Sequence, residues 1–99
     1  WPLGLKLIHP HIRTTVIKDF YWSREGQNWK EKNVPLGQGM VDFKLYFDLI
    51  REHQIKGPIS MHFEYALGGA EQGSKTLSVK PSEIKAAMRK DLLMLKSWL

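Results

Sequence analysis

The first clear run of hydrophobic positions is Ile12-Arg13-Thr14-Thr15-Val16-Ile17-Lys18-Asp19-Phe20-Tyr21. It is dense in β-branched and aromatic residues and predicts a buried strand with a polar end. Upstream, Leu3, Leu5, Leu7 and Ile8 fit either a helix tail or an irregular lead-in. Pro10 stops any helix there, because it disfavours helical geometry at the residue before it. From Trp22 to Gly39 the pattern dissolves into Ser23, Gly26, Asn28, Asn33, Pro35, Gly37 and Gly39, which predicts one long loop. Loops of that length inside a domain usually have a function. Asp42 reads as an N-cap, and Phe43, Tyr46, Phe47 and Ile50 form the apolar face of a helix reaching about His53. After Gly57-Pro58, a second strand is predicted over Ile59–Tyr65, with Ser60, His62 and Glu64 on the face opposite Ile59, Met61, Phe63 and Tyr65. A glycine-rich stretch, Ala66–Gly73, leads to a last helix over Ser82–Trp98 with the stripe Ile84, Met88, Leu92, Leu95 and Leu99.

Two strands joined through a helix make a right-handed crossover, so they are expected to pair in parallel. Parallel sheets are normally covered on both faces and rarely have two strands. The order therefore implies part of a larger α/β structure, or a chain that covers its open edges by self-association. The 99 residues allow one domain at most.

Composition narrows this only a little. Hydrophobic residues at 42% and charged residues at 25% suit a folded chain rather than a disordered one. No apolar run approaches the ~20 residues of a membrane-spanning helix. With no cysteine, a disulfide scaffold, a thiolate zinc site and a cysteine nucleophile are excluded. The net charge of +5 is spread along the chain, and its densest cluster, Lys85-Arg89-Lys90, fits the solvated face of a helix. Nucleic acid is thus not the expected partner. The abrupt start at Trp1, with no signal-peptide pattern, suggests a piece of something longer and leaves the compartment open.

Three strings occur in order: Val16-Ile17-Lys18-Asp19-Phe20, then Val34-Pro35-Leu36-Gly37-Gln38-Gly39-Met40-Val41-Asp42-Phe43, then Gly57-Pro58-Ile59-Ser60-Met61-His62-Phe63-Glu64-Tyr65. Together they resemble the C-terminal part of the xylose-isomerase-like TIM-barrel superfamily, the sugar phosphate isomerases and epimerases, which also includes endonuclease IV-type repair enzymes. The likeness covers Ile12 to Tyr65 well and the last helix loosely. It implies strands seven and eight and helices seven and eight of a (β/α)₈ barrel, incomplete in 99 residues because a whole barrel takes ~250.

The resemblance also implies chemistry at the carboxyl ends of the strands. Lys18, Asp19 and Glu64 become the catalytic candidates, moving protons on a sugar or stabilising its alkoxide. His62 and Glu64 become candidate ligands for a divalent metal (Mn, Mg, Zn or Co) acting as a Lewis acid. Relatives often carry His where this chain has Val16, which cannot bind metal, so the resemblance implies fewer ligands, shifted ligands or a lost metal. Gly37 and Gly39, before a helix, suit an anion such as a sugar phosphate. Trp22, with Tyr21 and Trp29, suits stacking on a sugar face. The leading expectation is an isomerase or epimerase whose activity the chain alone would not show. The alternatives are a non-catalytic carbohydrate-binding relative and an endonuclease IV-like nucleic-acid binder.

Overall fold

The computed structural model describes residues 1–99. Helix α1 (Pro2–Ile8) runs into a 3-10 turn at His9–His11 and then strand β1 (Thr15–Ile17). Strands β2 (Asp19–Glu25) and β3 (Asn28–Val34) follow, then helix α2 (Phe43–Glu52), strand β4 (Ile59–Met61), a 3-10 turn at Ala70–Gln72 and helix α3 (Pro81–Lys96).

β1 and β4 pair in parallel, Thr15 with Ile59 and Ile17 with Met61, and α2 connects them. That crossover matches the alternation and helical period of the sequence. Asp42 caps α2 as expected, its Oδ1 accepting the Leu45 amide at 2.9 Å. At the start of the sheet, Pro58 O accepts both Thr15 N (3.1 Å) and Thr14 Oγ1 (3.0 Å). Gly57 beside it has φ 135, and a Cβ there would collide with the Arg13 carbonyl.

The barrel expectation is overturned here. The four strands form two separate two-stranded sheets, one parallel and one antiparallel, and with three helices they make a small α/β domain rather than a stretch of barrel wall. The expected loop from Trp22 to Gly39 is largely the hairpin β2–β3. Its strands pair from Asp19–Val34 to Glu25–Asn28 around a two-residue connection, Gly26–Gln27, in which Gly26 takes φ 62. A glycine first in such a connection favours the turn whose twist matches the strands. The expected single strand from Ile12 to Tyr21 divides at Lys18, since Ile17 pairs with β4 whereas Asp19 starts the ribbon.

The core is small. Ile17, Leu36, Phe43, Phe47 and Leu95 form one buried cluster, and Trp98 lies flat on Phe43 with ring centres 4.6 Å apart. The Cα radius of gyration, 15.5 Å, exceeds the about 13 Å usual for this length, so the molecule is a thin slab of 42 × 37 × 21 Å. α3 is rotated from the expected stripe: Leu95 is buried as expected, but Asp91 is buried with it, whereas Met88, Leu92 and Leu99 are exposed. The Asp91 carboxyl lies against the Leu36 backbone and the Tyr65 hydroxyl, contacts that turn the helix towards the loop after β3.

Candidate functional site

Three segments bring polar side chains to the carboxyl ends of β1 and β4. Lys18 is the single residue between β1 and β2. His62 extends the parallel ladder by one bond, its amide donating to Ile17 O at 3.0 Å, and Glu64 follows on the same face. Glu31 and Asn33 come from β3, where the register sets Glu31 opposite Trp22 and Asn33 opposite Phe20. Directly paired residues share a face of the ribbon, so Trp22 neighbours Glu31.

Lys18 Nζ donates to Glu64 Oε2 at 2.8 Å and to Glu31 Oε1 at 3.0 Å. Asn33 Nδ2 approaches Glu64 Oε2 at 3.5 Å, and His62 Nδ1 lies 3.3 Å from Glu64 Oε1. The side chains of Lys18, Glu31, Glu64 and His62 are 35–48% exposed, open enough to meet a solute. The hydrogen bonds from Lys18 and then His62 hold the Glu64 carboxyl below the usual glutamate range. Glu64, and then Glu31, push the Lys18 ammonium up. Both groups are therefore charged at neutral pH.

The other expected site residues lie elsewhere. Asp19 is buried, 2% exposed, and its carboxylate is filled by backbone donors: Phe20 N (2.9 Å) and Val41 N (3.3 Å) on Oδ1, Gly37 N (2.9 Å) and Gly39 N (2.8 Å) on Oδ2. The glycine amides expected to cradle an external anion thus cradle Asp19 itself. Gly39 is required for this, because a Cβ would run into the Asp19 carboxylate and the Phe20 carbonyl. Trp22 is half exposed on the ribbon face that carries Glu31, and Trp29 lies on that face too, opposite Arg24. Tyr21 points to the other face.

The residues do not fit a divalent metal. His62 and Glu64 supply two donors, the Glu64 oxygens already hold Lys18 and His62, and an ammonium stands where the cation would sit. No group of three or more His, Asp or Glu converges anywhere in the chain. A hard or borderline ion needs more ligands than this. No helix is long and apolar enough to cross a membrane.

Glu31 and Asn33 were not legible as site residues, because their segment reads as loop. The signal that would have found them is the Gly26–Gln27 connection with aromatic-bearing runs on both sides, which fixes a register and hence a face.

No protein-family model matches the chain, and no curated protein sequence matches it. The resemblance to sugar isomerases therefore rests on the three motifs alone.

Proposed function

We propose that the cluster at the carboxyl ends of β1 and β4 binds a carbohydrate without transforming it. The observation that carries this reading is the Lys18 ammonium held between Glu31 and Glu64, with the half-exposed Trp22 paired opposite Glu31 in the ribbon. Sugar hydroxyls donate and accept at once, and here one ammonium donates while two carboxylates accept. An aromatic face next to such a fork suits the C–H face of a pyranose. Acid–base turnover has less support. General acids and bases work best with pKa values near the operating pH, and the two shifts at Lys18 and Glu64 lead away from it. Nucleic acid has less still, since two carboxylates on the open face repel phosphates.

Titration with a panel of pentoses, hexoses and their phosphates, followed by NMR at the Trp22 indole, tests the proposal. Saturable shifts are expected, lost in Lys18→Met. Absence of saturation with every sugar would sink the binding reading. Conversion of a sugar to its epimer or ketose, abolished by Glu64→Gln, would replace it with an enzyme.

A further inference from the structure

A second polar site lies at the opposite end of the parallel pair, before the amino ends of β1 and β4. There the turn after α1, the lead into β1 and the segment after α2 border an open cleft of about 320 Å³. Its walls carry four basic side chains, His9, Arg13, His53 and Lys56, and no acidic one. We infer that this cleft is a binding site for a small dianionic oxyanion, a phosphate monoester or its headgroup equivalent.

Three features of these residues support the assignment. The first is unused donor capacity. Arg13 spends Nη1 on Pro10 O (2.9 Å) and Ile12 O (3.2 Å), which pins the guanidinium while Nε and Nη2 make no bond within the protein. Lys56 makes no ion pair. A fixed guanidinium with a free edge is the geometry that takes a phosphate through two parallel hydrogen bonds.

The second feature is the stacked pair His9–His53, with ring centres 4.5 Å apart and planes inclined at 29°. His9 Nδ1 lies 2.7 Å from Lys6 O, and a carbonyl only accepts, so Nδ1 carries a proton, and Nε2 donates to an oxyanion in the imidazolium form. His53 Nε2 is buried with no hydrogen-bond partner. The nearest carboxylate, Glu52 Oε1, is 4.0 Å away on an exposed side chain. A buried polar nitrogen without a partner is costly, and a turn of the ring towards an oxyanion in the cleft would relieve that cost.

The third is the backbone. Gln54, next to His53, is the single non-glycine residue with positive φ (51). Its left-handed conformation turns the chain so that His53 and Lys56 border one cleft. It is the usual left-handed close of a helix, with Ile55 N donating to Ile50 O (3.0 Å) and Gln54 N to Arg51 O (3.1 Å). The volume lies at the lower end of the about 300–1,000 Å³ range of small-molecule sites, enough for a phosphate with a short alcohol.

This site shares no residue with the carbohydrate cluster, so either can fail alone. The test is NMR of the histidine ring nitrogens during titration with inorganic phosphate, against chloride at matched ionic strength. Saturable shifts of His9 and His53 are expected with phosphate only. Binding should weaken about tenfold in Arg13→Gln and again in Lys56→Met, the loss of one charge-assisted contact each, and stay unchanged in Lys85→Met on α3. Both substituted side chains are exposed, and an unshifted Trp98 indole signal would show that the core is intact. Glycerol phosphate binding as phosphate does, with phosphatidic acid vesicles inert, assigns a soluble ester; vesicle binding that outcompetes both assigns a lipid headgroup. Chloride reproducing the shifts, or both variants binding phosphate at full strength, overturns the site.

Discussion

Asp19 follows β1 by two residues and Glu64 follows β4 by three, so two carboxylates leave the same end of the parallel pair. The first is covered by the loop from Leu36 to Val41 and receives four backbone amides; the second stays open and is held by side chains, Lys18 and His62. The difference shows what separates a structural acid from a candidate binding acid on one rim. Backbone donors arrive with the fold and bury their acceptor, whereas side-chain donors leave it reachable and exchangeable for ligand hydroxyls. The charge and the end of the sheet are the same in both cases.

The sharpest way to break the contrast is Asp19→Ala, which strands the amides of Gly37 and Gly39 in a buried place. We expect a loss of about 3–5 kcal/mol in urea unfolding, enough to unfold a domain with so small a core. Gly39→Ala attacks the same nest from the other side, and should cost about 1–3 kcal/mol by pushing the loop off the carboxylate. Asp91 sharpens the comparison, being a buried acid with poor compensation. Burial pushes its carboxyl up by more than the Tyr65 hydroxyl and the Leu36 backbone beside it hold it down. A raised carboxyl pKa stabilises the fold below the unfolded value and loses that contribution as pH rises through the folded one. Asp91→Asn should therefore gain about 1 kcal/mol at pH 7, with the gain vanishing in acid; a loss at pH 7 would refute the assignment.

Changes at the open acid should be smaller. Lys18→Met removes the cation between two exposed carboxylates and should alter stability by less than about 1 kcal/mol. The last expected effect is spectroscopic. Glu64 should titrate below the ordinary 4.5 and return towards it in Lys18→Met. Because its folded pKa is lowered, whatever stability the pair contributes is present above the unfolded value and lost as pH falls through the folded one.

The local signals in the sequence were reliable where one residue type decides one geometry. The Asp42 cap, the 3.6-residue period of α2 and the alternation around Ile59 led directly to the parallel crossover. They said nothing about how far the sheet extends, and the barrel inferred from motif order does not survive the pairing of β2 with β3. That ribbon was hidden because Gly26, Asn28 and Asn33 are loop formers when read one at a time and become strand residues once paired. The strand ends point to Lys18, Asp19 and Glu64 alike, but the burial of Asp19 depends on a loop twenty residues away folding back, which no local period encodes. α3 was misoriented for a related reason: a charged Asp91 looks solvated until Leu36 and Tyr65 are placed beside it.

The amide nest also sets an order of events. Gly37 and Gly39 are exposed residues whose N–H groups reach a partner 18 and 20 positions back, a distance closed only when the intervening ribbon has zipped. Their amide protons should therefore exchange with solvent slowly despite the exposure, and at one common rate. Opening the ribbon at Gly26 would release both together, so two surface glycines would report on a turn a dozen residues away.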